Sequence, residues 1–173
     1  MPISPLASAA IRAELDGLAL YPDGNGFVLK SAIARKLGVG LDQIVLGNGS
    51  NDVLEMAARA YLMPGHSAVF SEHAFAVYPL ATQARGARAI AVPAKNYGHD
   101  LEAMAKAVDD ETCVAWVANP NNPTGTLAAP DALEAFVRRI PERVIVVMDG
   151  AYNEYMPAEM RADTVKWLRR HLN

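Results

Sequence analysis

Three short stretches carry side chains that could grip a small anionic ligand. Asn119-Pro120-Asn121-Asn122-Pro123-Thr124-Gly125 follows the apolar run Cys113 to Ala118. Its two prolines fix φ and exclude a regular ladder, while Asn and Gly accept the left-handed backbone of a tight turn. The Asn122 amide is thereby held at a strand's carboxyl end, where it can donate a hydrogen bond to a ligand oxygen. Gly47-Asn48-Gly49-Ser50-Asn51-Asp52 stands immediately before a helical pattern. Gly49, Ser50 and Asn51, with the partial positive charge of a helix amino end, make an anion site suited to a phosphate. Asp149-Gly150-Ala151-Tyr152 sets a carboxylate and a phenol directly after the apolar run Val144 to Met148. An acid beside that much apolar chain calls for a cationic partner. Each stretch taken alone has a plainer reading: a strand-ending turn, a helix cap, or an aspartate open to water.

The elements that must position these loops alternate in type. Gln43 to Leu46, Ala68 to Phe70, Ala87 to Val92, Thr112 to Ala118 and Val144 to Met148 are short apolar runs that predict strands. Between and after them, helical patterns cover Asp52 to Met63, Ala74 to Arg85, Leu101 to Val108 behind an Asp100 cap, and Ala132 to Arg139. Upstream, Ser8 to Leu18 and Phe27 to Leu37 read as helices around Tyr21-Pro22-Asp23-Gly24, and Thr164 to Leu172 reads as a basic amphipathic helix downstream. Strands alternating with helices predict an α/β fold, a three-layer αβα arrangement around a mostly parallel sheet.

Composition narrows the function. The 173 residues are 51% hydrophobic and 20% charged with a net charge of −3, which fits an ordinary globular chain. No basic cluster is denser than Arg169-Arg170, so no phosphate-backbone footprint for nucleic acid is expected. The single cysteine, Cys113, cannot form a disulfide within the chain, and a cytoplasmic setting is expected. No stretch reaches the roughly 18 apolar residues of a spanning helix, so no membrane partner is expected, and no metal-ligand cluster is visible.

Together the three loops fit pyridoxal 5'-phosphate. Its phosphate would take Gly49, Ser50 and Asn51, its ring oxygen the Asn122 amide and the Tyr152 hydroxyl, and its ring nitrogen Asp149. A carboxylate there keeps the nitrogen protonated, and a protonated pyridinium is an electron sink. Phe75, in Ser71-Glu72-His73-Ala74-Phe75, could lie against the ring face, or it could be a core aromatic. Nearly the whole chain resembles the fold-type I pyridoxal-phosphate aminotransferases, most closely the histidinol-phosphate aminotransferase family. Asn119 to Gly125 matches that family's signature, and the order Gly49, Phe75, Asn122, Asp149 follows its order of cofactor contacts. The resemblance implies transfer of an amino group between histidinol phosphate and 2-oxoglutarate in histidine biosynthesis, and a homodimer in which Tyr21 reaches the cofactor phosphate of the other subunit. It also implies a division at 1–38, an amino-terminal helical arm and dimer-contact segment, and 39–173, a partial cofactor-binding large domain.

The sequence also departs from that family. Phe75 replaces a usual tyrosine, and Gly150 replaces the second acid of Asp-Glu-Ala-Tyr. The family's Asn-Glu-Asn-Pro segment before the Tyr-Pro turn is missing. The family's Schiff-base lysine stands in a Ser-Lys pair beyond the point where this sequence stops at Asn173. None of Lys30, Lys36, Lys95, Lys106 and Lys166 follows a serine or closes a strand. The expectation is therefore an amino-terminal piece with most of a cofactor half-site and little activity alone. Other fold-type I enzymes, such as a threonine-phosphate decarboxylase or an aromatic aminotransferase, share these loops, and a non-catalytic assembly piece is the alternative from another class. A dinucleotide-binding domain fits poorly, because the 47–52 loop lacks the third glycine of that fingerprint.

Overall fold

A computed structural model describes residues 2–168, 170 and 171. The chain forms two compact units, one running to Leu46 and one beginning at Gly47. The first holds helix α1 (Pro5–Ala13), a 3-10 turn at Leu15–Gly17, and helix α2 (Phe27–Leu37). Pro5 opens α1 where its missing N–H costs nothing, and Gly38 closes α2 at φ 67°. The Asp23 carboxylate accepts the N–H groups of Asn25 and Phe27 at 3.0 and 2.7 Å, which ties the Tyr-Pro-Asp-Gly turn to the start of α2. Those two bonds, the Phe27 one first, hold its pKa below the usual carboxylate range.

The second unit contains α3 (Gly49–Tyr61), β1 (Ser67–Ser71), α4 (Val77–Ala84), β2 (Arg88–Val92), α5 (Leu101–Lys106), β3 (Thr112–Ala118), α6 (Pro130–Arg139), β4 (Ile145–Asp149) and the short α7 (Thr164–Trp167). The four strands form one parallel sheet in the order β2-β1-β3-β4. Alternation along β3 sorts its side chains. Val114, Trp116 and Ala118 pack with Leu54, Ala58, Tyr78 and Ala81 of α3 and α4. Ala115 and Val117 pack with Met104, Leu133, Phe136 and Trp167 of α5, α6 and α7. A sheet covered on both faces explains why β1 and β3 read as unbroken apolar runs rather than alternating ones. The three-layer αβα architecture is the one the sequence predicts. The chain runs outward from β1 to β2 and then resumes at β3 on β1's other side, so the carboxyl ends of β1 and β3 flank a topological switch point, where open α/β sheets bind ligands.

Some boundaries differ from expectation. Gln43 to Leu46 is not a strand: a 3-10 turn occupies Leu41–Gln43, Val45 is exposed, and so short a run gains no ladder bonds without a neighbouring strand. The first helix starts at Pro5 and stops at Ala13, and α4 starts at Val77 because Ser71 to Ala76 make a turn held by the Ala74 N–H on the Ser71 carbonyl. Of the expected Thr164 to Leu172 helix, α7 covers Thr164–Trp167, and Arg169 and Leu172 lie outside the described residues.

Candidate active site

Each candidate loop is fixed by its own backbone bonds. Gly47 folds back onto the start of α3 so closely that a Cβ there would stand 2.8 Å from Cβ of Asp52. The Asp52 carboxylate accepts the Asn48 N–H at 2.9 Å, closing the turn. Gly49 then takes φ +79° with open space where a Cβ would be. The first turn of α3, with Ser50 and Asn51 exposed, leaves N–H groups that have no intrahelical partner.

The Asn-Pro loop is held by two of its asparagines, and the third is left to the site. Asn119 accepts the Ala128 N–H on Oδ1 at 2.9 Å, and its own N–H donates to the Asp149 carbonyl at 3.0 Å, joining the carboxyl ends of β3 and β4. Asn121 is buried, and its Nδ2 donates to the His73 carbonyl at 3.0 Å and to Thr124 Oγ1 at 2.8 Å. That bond pins the loop carrying Phe75 against the loop carrying Asn122. Both Asn-Pro bonds in the loop are cis. Asn122 Nδ2 lies 3.5 Å from the Tyr152 hydroxyl, the long edge of hydrogen-bond range.

Asp149 ends β4. Its Oδ1 accepts the Ala151 N–H at 3.0 Å and its Oδ2 accepts the Tyr78 hydroxyl at 2.8 Å. Tyr78 has no exposed surface, and its ring stacks on Trp116 with centroids 5.4 Å apart and planes 5° from parallel. Burial, followed by the charge of Asp149, pushes the pKa of the Tyr78 phenol far above its ordinary value, so it stays a neutral donor. Behind β3, His99 Nε2–H donates to the carbonyl of Ala118 at 2.8 Å, and burial pushes the pKa of that imidazole down, which favours its neutral form.

Ser50, Phe75, Asn122, Asp149 and Tyr152 therefore line one recess with Ala118 and Ala151, of about 30 Å³. Gly49 and Asn51 flank Ser50 without lining it. Tyr21 lies in the first unit, with its side chain fully exposed. Tyr78, Asn121 and His99 escaped the sequence reading. Tyr78 stands three residues beyond Phe75, one helical turn along, which is the signal that could have drawn attention to it.

The recess suits a flat, polar-edged aromatic. Two of the roughly four lone-pair positions of the Asp149 carboxylate are used, leaving it able to accept a ring N–H. Asn122 and Tyr152 converge on one point, where an oxygen could be held by both. Phe75 forms an apolar wall, and the open space at Gly49 admits a bulky anion near the α3 amino end. Among the described residues no lysine lines the recess. Among the described residues no group of three His, Cys, Asp or Glu side chains could hold a metal, and no helix is long and apolar enough to cross a membrane.

The chain is similar to known proteins. The chain is 56% identical over 170 residues to "Histidinol-phosphate aminotransferase 2" of Nitrosospira multiformis, covering 98% of this chain and 43% of that protein. It is 58% identical to "Histidinol-phosphate aminotransferase 2" of Pseudomonas fluorescens, covering 98% and 46% respectively. Its fold superposes with a TM-score of 0.87 on the crystal structure of histidinol-phosphate aminotransferase from Sinorhizobium meliloti in complex with pyridoxal-5'-phosphate, at 29% identity over 92% of this chain and 44% of that one. The chain thus spans less than half the length of these relatives. Residues 2–173 match the family model for aminotransferases of class I and II, and the chain belongs to that family.

Proposed function

We propose that the recess is part of a pyridoxal 5'-phosphate site and that the protein is an aminotransferase of the histidinol-phosphate type, acting with 2-oxoglutarate in histidine biosynthesis. The observation that carries this reading is the convergence of Ser50, Phe75, Asn122, Asp149 and Tyr152, drawn from four separate stretches of sequence, on one recess. When bound, pyridoxal phosphate supplies an electron sink for the carbanion left when an amino acid loses its α-proton.

The chain's own residues divide the remaining tasks. Asp149 accepts the ring N–H and keeps that nitrogen charged. Asn122 and Tyr152 donate to the ring oxygen and fix the ring's rotation, and Phe75 covers one face and excludes water from it. Gly49, Ser50 and Asn51 offer N–H and hydroxyl donors to the phosphate at the amino end of α3. Tyr21 reaches the phosphate of the neighbouring subunit in a homodimer. Exposed Leu6, Ile11 and Val28 on α1 and α2 support a subunit contact on the amino-terminal arm, residues 1–38, and 39–173 carries the cofactor loops. The single, partly buried Cys113 and the biosynthetic role fit a cytoplasmic enzyme.

Equilibrium dialysis of the chain against pyridoxal phosphate tests the site; one bound equivalent is expected, and no saturable binding would overturn it. The substrate is tested by turnover of the polypeptide carrying the complete family fold, with 2-oxoglutarate as acceptor. Histidinol phosphate should be the preferred donor. A preference for threonine phosphate or an aromatic amino acid would reassign the activity within the same fold.

A further inference from the structure

We propose that Tyr78 is a positioning residue that orients the Asp149 carboxylate toward the cofactor's ring nitrogen. The inference rests on the pyridoxal-phosphate reading of the recess. Asp149 is partly buried at the end of β4, and its orientation depends on two donors, one on each oxygen. The Ala151 N–H is backbone and comes with the turn. The other, Tyr78 Oη, comes from an element 71 residues earlier in the chain. The carboxylate is thus fixed against rotation about its last torsion only while Tyr78 donates.

The tyrosine is itself immobilised. Its ring lies parallel to the Trp116 indole on one side, and Phe75 meets it edge-on with centroids 5.9 Å apart and planes at 89°. Phe75 also lines the recess, so the residue that walls the ligand's face and the residue that orients its acid share one packing unit. The chemistry of the donor matters as much as its position. An Arg or Lys at this place would also hold the carboxylate, but its charge would compete with the ring N–H for the same anion. A phenol orients the acid without neutralising it. Its burial keeps it protonated, so the donor persists across the working pH range.

The test compares two ligands: pyridoxal phosphate and its 1-deaza analogue, in which carbon replaces the ring nitrogen. Binding of each to the unchanged chain and to Tyr78→Phe is measured by equilibrium dialysis, with Asp149→Asn as reference. The unchanged chain should prefer pyridoxal phosphate. In Tyr78→Phe that preference should shrink about tenfold, as expected for loss of a hydrogen bond to a charged group, while affinity for the deaza analogue stays the same. Equal weakening of both ligands marks a packing role alone and overturns the inference, as does a preference that survives the substitution. Equal affinity of the unchanged chain for both ligands instead removes the cofactor reading, and this inference with it. Should Tyr78→Phe fail to fold, 3-fluorotyrosine at position 78 keeps the ring volume and makes the hydroxyl a stronger donor. The preference for pyridoxal phosphate should then rise, and an unchanged preference overturns the proposal.

Discussion

At the amino end of the sheet, Asp109 gathers the starts of three strands. Its carboxylate accepts from Ser67 at the start of β1, from Arg88 at the start of β2 and from Thr112 at the start of β3, at 3.2, 2.6 and 2.8 Å. Its carbonyl accepts Arg143 at 2.7 Å, and Arg88 also pairs with Glu111 at 2.9 Å. At the carboxyl end, by contrast, Asn122 and Tyr152 hold each other only at 3.5 Å, and neither Ser71 Oγ, which ends β1, nor Asn121 Oδ1 has a hydrogen-bond partner among the described residues. Both ends belong to the same four strands. A buried polar group left unsatisfied costs stability, so a sheet end whose donors and acceptors face one another is built for folding. An end that leaves some of them open keeps donors and acceptors available to a ligand.

The comparison breaks most sharply at Asp149. Asp149→Asn keeps an acceptor for Tyr78 but removes the charge a ring N–H would meet. Its affinity for pyridoxal phosphate should fall about 10- to 100-fold, read by equilibrium dialysis, with urea stability within about 1 kcal/mol of the unchanged chain. Thr112→Val at the other end should do the reverse. It strips buried Ser67 and the Asp109 N–H of a partner, costing about 1–3 kcal/mol in urea unfolding, and leaves cofactor affinity as it was. If both variants lost stability and affinity together, the two ends would not be separable.

How much of this was legible in the sequence depends on range. β3 and α2 are read to the residue, Thr112–Ala118 and Phe27–Leu37, because a bounded apolar run and a Gly-terminated amphipathic stretch are local signals. The Asp100 cap is equally local, its Oδ1 accepting the Ala103 N–H at 2.9 Å. Asn122 and Asp149 stand out because each belongs to a polar stretch that follows a continuous apolar run, Cys113 to Ala118 and Val144 to Met148. Tyr78, Asn121 and His99 do not, since their partners Asp149, His73 and Ala118 lie 71, 48 and 19 residues away and only the fold brings them together. The same holds for the Asp109 clamp, whose members are scattered from Ser67 to Arg143. Gln43 to Leu46 fails for the converse reason: its composition suits a strand, yet a strand exists only with a neighbour to pair with.

A smaller effect sharpens the contrast through pH. Hydrogen bonds from Arg88 first, then Thr112, hold the Asp109 carboxyl below its ordinary value of 3.8. The folded chain therefore binds that proton less readily than the unfolded chain, so the stabilisation is complete above about pH 4 and is lost as pH falls below it. Both Asp109 and Arg88 are substantially exposed, so water screens the pair and the loss should be modest and weaker still in 1 M salt. Urea midpoints between about pH 6 and 2 should show this decline. Thr112→Val should flatten it, because one of the bonds favouring the charged carboxylate is gone.

The smallest expected change lies back at the carboxyl end, at Gly49. Its φ of +79° disfavours any side chain, but nothing stands within 4 Å of the place a Cβ would occupy. Gly49→Ala therefore introduces backbone strain without a clash, about 1 kcal/mol of stability. Gly47→Ala should cost more, since its Cβ would press on Asp52 and on the Val53 methyl at 3.2 Å. The two glycines thus separate crowding that the fold imposes from space that the fold leaves empty. If that space receives the phosphate, the Gly49→Ala methyl should lower affinity for pyridoxal phosphate a few-fold and leave affinity for unphosphorylated pyridoxal unchanged. Equal loss for both ligands would mean that the phosphate lies elsewhere, and that the openness at Gly49 belongs to the turn alone.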